Sequence, residues 1–382
     1  MSSGQTDYFA DPLGGLPDTV WDEIAGERFY STALWLRLCG LPAGSISGGL
    51  HVDLPGGGRA ALPIASVQRE PNPNSRWQDL LTARGLPSPA PEGILVGARR
   101  GYLSHVMTTP GADRKVAAEY LLKALRSLPA PRADVPPAQV AMYLTTEDVL
   151  LLRACGVDTL PVALNSDAWI AIPEGGFEDW LSTLSAGRRN SVRREMRRFE
   201  EAGYQVEEMS LGEAHEHVAR LLARTELRYG RSPDVEALIR SFRAQGEVAG
   251  EHGRVLLCSK EGQPPVAFCL FYRRDDTVYL RAVGFDYDRL DGAGEYFNLA
   301  YYLPIQRPGV RWLHAGISSQ EVKAARGAVL RPLWLLDLSE RSVLTGLDAE
   351  IRAHNAGFMA KLSASSPLID RALDSELWDA FS

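Results

Sequence analysis

Apolar and polar residues alternate in short runs along most of the chain, and these runs are broken by stretches with apolar residues three and four apart. In the first half, "GLHVDL", a "PGGGR" turn and "AALPIASV" predict a β-hairpin. A strand-like "GILVGARRGYLS" follows, then an amphipathic helix, "ADRKVAAEYLLKALRSL". The half continues with strand-like "AQVAMYLT", helical "TEDVLLLRAC" and strand-like "DAWIAI". The second half offers the same order: "RVLLCSK", an "EGQPP" turn and "VAFCLFYR", then the long strand "TVYLRAVGFD". Helical "GEYFNLAYYLPIQ", the strand "VRWLHAGI", helical "SQEVKAARG" and the strand "LRPLWLLDL" complete it. No fixed-period repeat is present, so the halves share topology rather than sequence.

Between the halves lies "FEDWLSTLSAGRRNSVRREMRRFEEAGYQVEEM", with Leu184, Val192, Met196 and Phe199 in one apolar stripe and Gly203 as the stop signal. A second helix, "GEAHEHVARLLARTELRYG", is expected to bury Val218, Leu221, Leu222 and Leu227. Helices followed by an antiparallel meander, with a further helix after its third long strand, predict an α+β class.

Composition narrows the setting. At 382 residues and a formal net charge of −7, the chain is long enough for two cores and too acidic to coat nucleic acid broadly. No apolar run approaches 18 residues, and "MSSGQTDYFADPLGG" lacks the features of a secretory signal, so a cytoplasmic protein with no membrane partner is expected. The four cysteines are scattered, which indicates neither a disulfide framework nor a zinc site. His215 and His217 stand two apart on a helix and face different ways, so no metal site is expected.

Against that acidic balance stands "RRNSVRREMRR", Arg188 to Arg198. On a helical wheel Arg193, Arg194, Arg197 and Arg198 cover the side opposite the apolar stripe, and Arg188 and Arg189 flank it. Glu195, Glu200 and Glu201 neutralise part of this face. Two readings stay open: a solvated face, or a local anion-binding face that uses the planar guanidinium fork suited to phosphate.

The linker helix, the hairpin "VLLCSKEGQPPVAFCLFY", the segment "VYLRAVGFDYDRLDGAGEYFNLAYY" and "HAGISSQEVKAARGAVLRPLW" together resemble the GNAT acyltransferases, and more closely the FemAB-like group with tandem GNAT-type domains. The likeness is good over residues 177–338 and faint over the first 165. It implies two GNAT-like domains, each a mixed, mostly antiparallel sheet flanked by helices. The expected boundaries are a disordered lead-in over 1–20, a degenerate N-terminal domain over 21–165, a catalytic domain over 166–345 and a helical extension over 346–382.

The resemblance also implies direct transfer of an acyl group to an amine. "RLDGAG" matches the R-x-x-G-x-G loop with which GNAT enzymes cradle the coenzyme A pyrophosphate, which makes Arg289, Gly292 and Gly294 donor-phosphate candidates. Lys323 falls where FemAB-like enzymes place a lysine near the reacting carbonyl or donor phosphate, with Arg326 on the same helical turn. In such enzymes the helix matching the basic linker contributes to phosphate binding, which would engage Arg188, Arg189, Arg193, Arg194 and Arg197. From the residues themselves, Arg281 stands out as a charge in mid-strand, where a partner or a cleft is needed. His314 is a candidate proton acceptor and Tyr296 a candidate proton donor to the leaving group. Arg99, Arg100 and Tyr102 form the only suggestive cluster of the first half. No G-x-S-x-G is present, so a covalent acyl-enzyme is not expected. The donor is expected to be aminoacyl-tRNA or, as the alternative, acyl-CoA, used as a co-substrate with no tightly bound cofactor; a binding module without chemistry is the third reading.

Overall fold

The computed structural model describes residues 7–41, 45–68, 70, 72–128 and 138–382. They form two compact units: residues 7–167 with 331–382, and residues 168–330. The second unit is therefore one contiguous insert in the first.

The first unit begins with helices α1 (Asp18–Ala25) and α2 (Ala33–Gly40) and the hairpin β1 (Ser45–Asp53) and β2 (Arg59–Val67). Helix α3 (Trp77–Thr82), strands β3 (Gly93–Val96) and β4 (Met107–Thr108), helix α4 (Arg114–Arg126), strand β5 (Ala138–Leu144) and helix α5 (Thr146–Ala154) follow. The predicted hairpin and both predicted helices are present, but the run "GILVGARRGYLS" is a strand only as far as Val96, since Gly97 turns away at φ 117°.

Asp113 caps α4 through the backbone N–H groups of Lys115 and Val116, and Thr145 caps α5 through that of Asp148. Asp148 is itself buried and takes hydrogen bonds from Thr145 Oγ1 (2.8 Å) and Val106 N (3.2 Å), with Arg114 at 2.7 Å and His105 Nδ1 at 2.8 Å. Burial alone would raise its pKa, but hydrogen bonds from His105 and Thr145 and the Arg114 charge outweigh that and hold it below the ordinary value.

The lead-in expected to be disordered is structured from residue 7 onward; residues 1–6 lie outside the described residues. Gly49 N donates to Tyr8 O at 2.9 Å, Asp11 caps the turn through Leu13 N (2.7 Å), and Leu13 is fully buried. The reason lies in "SISGGL": a Cβ at Gly48 would stand 2.3 Å from Tyr8 O, so the bare glycine backbone makes the space the lead-in occupies.

In the insert, strand β6 (Val162–Ala171) enters from the first unit and is followed by helices α6 (Phe177–Thr183) and α7 (Ala186–Glu201). Next come β7 (Tyr204–Ser210), the helical pair α8 (Leu211–Arg228) and α9 (Val235–Ala249), and the meander β8 (Gly253–Lys260), β9 (Ala267–Arg274) and β10 (Thr277–Phe285). Helix α10 (Glu295–Phe297) runs through a π turn (Asn298–Tyr302) into α11 (Leu303–Ile305). Pro304, which has no N–H to give to the preceding turn, sits in α11 just beyond the widening. Strand β11 (Trp312–Gly316) and helix α12 (Gln320–Ala324) complete the insert, whose strand order is β6-β11-β10-β9-β8-β7.

A capping box between Ser210 and Glu213 starts α8, which lays Leu211, Ala214, Val218 and Leu221 on Val255, Leu257, Phe268 and Leu270. Burial of each such large side chain contributes roughly 1.5–3 kcal/mol. Leu227, expected on this face, is instead 59% exposed, because five residues beyond Leu222 the helix has rotated the stripe away from the sheet.

Strand β12 (Val329–Asp337) and helices α13 (Asp348–Ala364), α14 (Pro367–Ala372) and α15 (Ser375–Asp379) end the chain. The expected boundaries keep residues 331–345 with the second half and set 346–382 apart, whereas the structure joins both segments to the first unit. Residues Trp334–Asp337 of β12 pair with β5, Asn355 donates to Pro161 O (2.9 Å) and Phe381 O (2.8 Å), and Trp378 and Phe381 pack on Trp334. Periodicity marks a strand but does not name its partner. The observed class is α+β, with a mixed, mostly antiparallel open sheet flanked by helices.

Candidate functional site

The insert holds most of the residues singled out in the sequence. Strands β10 and β11 run parallel only from Thr277–Trp312 to Tyr279–His314. Just past that point both bulge against their outer neighbours: β10 shifts register against β9 between Leu280 and Ala282, and β11 against β6 between His314 and Gly316. Arg281 is the extra residue of the first bulge, which explains a charge in mid-strand. Beyond Tyr279 no strand among the described residues pairs with this edge of β10.

Lys323 lies at the β11 side of this gap. It is buried on α12, and its Nζ donates to the carbonyl of Gly316 at 2.7 Å. An ammonium held beside a strand opening is a means of stabilising developing negative charge. His314 is fully buried, with its ring 4.7 Å from Trp169 and 5.5 Å from Tyr279, an enclosure that fits a packed ring. Tyr296 shares a hydroxyl contact of 3.1 Å with Tyr301. Burial raises the pKa of both phenols, so they stay protonated and are able to donate.

Arg326 does not reach toward solvent. Its guanidinium is buried, stacks 3.8 Å from the Phe297 ring centre, and donates to Tyr302 Oη (3.0 Å) and Glu195 Oε2 (3.1 Å). Tyr302 also donates to Glu195. This ion pair ties α7 to the turn after α12 and to the π turn of Tyr302, so Arg326 stands as a clamp beneath the surface. In the sequence Glu195 reads only as a neutraliser of arginines. A further signal is nevertheless there: it falls three residues after Val192 and four before Phe199, a carboxylate inside an apolar stripe.

The glycine loop opens α10, with Gly294 as a left-handed N-cap (φ 85°) and Gly292 also at positive φ (69°). Among the described residues the N–H groups of Gly292, Ala293 and Gly294 make no hydrogen bond. The charges around them are mixed. Glu295, buried, accepts from Asp291 N (3.1 Å) and Tyr204 Oη (2.8 Å), and Lys260 pairs with Asp291. Arg289 is turned to Gln263 (3.1 Å) and the Pro264 carbonyl (3.3 Å).

Helix α7 keeps its arginines outward. Arg189 donates to Ser182 O (3.3 Å), and Arg198 donates to Gly292 O (3.2 Å), which joins the basic helix to the loop. Arg193 reaches Glu178 only at 3.9 Å, and Arg188, Arg194 and Arg197 are exposed, with no hydrogen bond or ion pair among the described residues. No group of three His, Cys, Asp or Glu able to hold a metal occurs among the described residues, and no helix there is long and apolar enough to cross a membrane.

In the first unit, Arg99 is buried against Glu70 (3.1 Å) and the Cys39 carbonyl (3.4 Å), and Tyr102 packs edge-on to Tyr143 at 5.4 Å. Arg100 stands beside it at φ 61°.

FemX aligns at a TM-score of 0.57 and 11% identity, over 85% of this chain and 96% of that one. The C-terminal domain of a proposed lysylphosphatidylglycerol synthetase from Agrobacterium fabrum gives 0.53 and 10%, over 88% and 93%. A conserved protein of unknown function from Bacteroides thetaiotaomicron gives 0.52 and 12%, over 84% and 96%. At such identities the likeness is one of fold. No curated protein matches the sequence. Residues 104–354, well over half of the chain, match the FemAB-like family model, described as peptidoglycan biosynthesis/recognition, and the chain belongs to that family.

Proposed function

We propose that this protein is an N-acyltransferase that moves an aminoacyl group from aminoacyl-tRNA to the amine of a small-molecule or peptidoglycan-type acceptor. Family membership supports the transferase class and an amine acceptor. The observation that carries the choice of donor is the exposed face of α7, where Arg188, Arg194 and Arg197 are unpaired and Arg193 is nearly so. A chain of net charge −7 keeps four such guanidiniums on one helix where they meet a polyphosphate backbone.

The chemistry needs no covalent intermediate. The neutral amine attacks the ester carbonyl, a carbon–nitrogen bond forms, and the ester carbon–oxygen bond breaks. The amine gives up a proton and the departing ribose oxygen takes one. Lys323 stabilises the oxyanion from the rim of the gap, Tyr296 is the proton donor to the leaving oxygen, and Arg281 on its bulge orients the donor. His314 completes the set as a buried ring that supports Tyr279.

Acyl-CoA remains the second reading, favoured by the unspent N–H groups of Gly292 to Gly294. The carboxylates of Asp291 and Glu295 and the inward turn of Arg289 weigh against a pyrophosphate there.

The test is transfer of radiolabel from bulk aminoacyl-tRNA, and separately from acetyl-CoA, at 50 and 200 mM salt. Transfer from tRNA with an affinity that falls steeply with salt, by a logarithmic slope of about 3 for four phosphate contacts, supports the reading. Transfer from acetyl-CoA alone, with a weak salt slope, sinks it.

A further inference from the structure

A second group of arginines and aromatic rings surrounds the far side of the same glycine loop. Arg220, Arg224 and Arg228 recur at four-residue steps along one side of α8. Arg224 pairs with the buried carboxylate of Asp286 at 2.8 Å, and Arg289 reaches the same carboxylate at 3.8 Å. Arg228 lies over the Tyr287 ring, 4.5 Å from its centre. Tyr229, the residue that follows α8, is 71% exposed. Arg231 follows, its side chain 3.7 Å from Glu226, and Leu227 is exposed as well.

A tyrosine ring is thus left bare in a segment of the chain that carries Arg224, Arg228 and Arg231. Exposed aromatic rings beside guanidiniums are what a single-stranded nucleic acid uses: the cations meet its phosphates and each base finds a π face, with little dependence on sequence. The same loop joins this patch to α7, because Arg198 donates to Gly292 O at one end of it while Arg289 and Arg224 share Asp286 at the other.

We propose that the C-terminal turn of α8, with Tyr229 as stacking platform beside Tyr287 and with Arg224, Arg228 and Arg231 as its phosphate contacts, binds the unpaired 3′ end of an RNA whose duplex lies on α7. The inference rests on the reading of tRNA as donor and assigns two parts of that RNA to two surfaces. The duplex is met by charge alone. The unpaired end is met by charge and stacking together, which delivers the esterified terminus toward the gap between β10 and β11.

The experiment is fluorescence anisotropy on the full chain with two labelled RNA hairpins. One is blunt and the other carries a four-nucleotide single-stranded 3′ overhang. The wild type is expected to bind the overhang hairpin about 10-fold more tightly, as loss of one stacked base implies. Tyr229→Ala is expected to remove that preference and leave the blunt affinity unchanged, whereas Tyr229→Phe, which keeps the ring, retains it. Arg194→Ala/Arg197→Ala is expected to weaken both RNAs alike. Equal binding of the two hairpins by the wild type, or an overhang preference that survives Tyr229→Ala, overturns this assignment and leaves the tRNA reading standing. Failure of either hairpin to bind, with transfer from acetyl-CoA intact, overturns both.

Discussion

In each unit a parallel pair of strands runs side by side for a few residues and then separates. In the first unit the pair is β3 with β5, joined from Gly93–Ala138 to Val96–Ala141. In the insert it is β10 with β11, joined over only three residues. Beyond the point of separation the two units differ. The first unit plugs its opening from its own chain: Gly97 turns away, Ser104 bridges to Leu144, and Arg99 is buried with its counter-ion Glu70, each 3% exposed. The insert leaves the edge of β10 without a strand partner and sets Lys323 beside it. One topology thus yields a filled seam and a lined one. The choice falls to side chains outside the strands, which is why the two halves share an order of elements and no repeat of sequence.

The comparison is sharpest at the two buried cations. Arg99→Met strands Glu70 in the interior, and the first unit is expected to lose about 3–5 kcal/mol in calorimetric unfolding. Arg99→Met/Glu70→Gln is expected to recover most of that loss. If the single variant is as mild as the double, the seam is not held by the pair. Lys323→Met is expected to do the reverse: transfer falls on the order of 100-fold with a melting shift well below that of Arg99→Met. A large melting shift with transfer intact would make Lys323 a plug like its counterpart.

Glu195→Gln removes one charge from the clamp but keeps its shape. A loss of about 1–3 kcal/mol in denaturant unfolding is expected, because Arg326 stays buried with a weaker partner. No change at all would mean Tyr302 alone satisfies Arg326.

Acid probes the first unit through one buried carboxylate. The folded Asp148 carboxyl lies below its ordinary value of 3.8, so its contribution is complete above that value and is lost as pH falls through the folded one. Asp148→Asn is expected to flatten the acid limb of first-unit stability below about pH 4, read by urea titration. An unchanged limb would assign the acid sensitivity to other carboxylates. The smallest effect is expected from Arg193→Ala, whose 3.9 Å contact joins two exposed side chains: the melting temperature stays put while RNA affinity drops.

Much of the molecule is legible in its residues. The hairpins, the helices and the two-fold order follow from periodicity, and "RRNSVRREMRR" announces an outward basic face that the structure keeps outward. Partners across long sequence distances are not legible. Arg326 reads as a phosphate ligand until Glu195, 131 residues away, takes its guanidinium. Arg99 reads as a binding residue until Glu70 does the same. A buried ion pair leaves at most half a local pattern: Glu195 interrupts an apolar stripe, but nothing in the sequence joins it to Arg326. The docking of the lead-in and the strand partner of β12 escape a reading by spacing for a related reason, since what docks on "SISGGL" or beside β5 is fixed by shape.

The insertion of one unit into the other also sets an order of assembly during synthesis. Residues 7–167 emerge before the insert, yet their sheet lacks β12 and their core lacks Trp334, Trp378 and Phe381 until residues 331–382 follow it. The insert, complete by residue 330, has its own sheet and core in hand before then. The half that starts first therefore finishes last, and it waits with β5 uncovered at one edge while the ribosome completes the remaining segment.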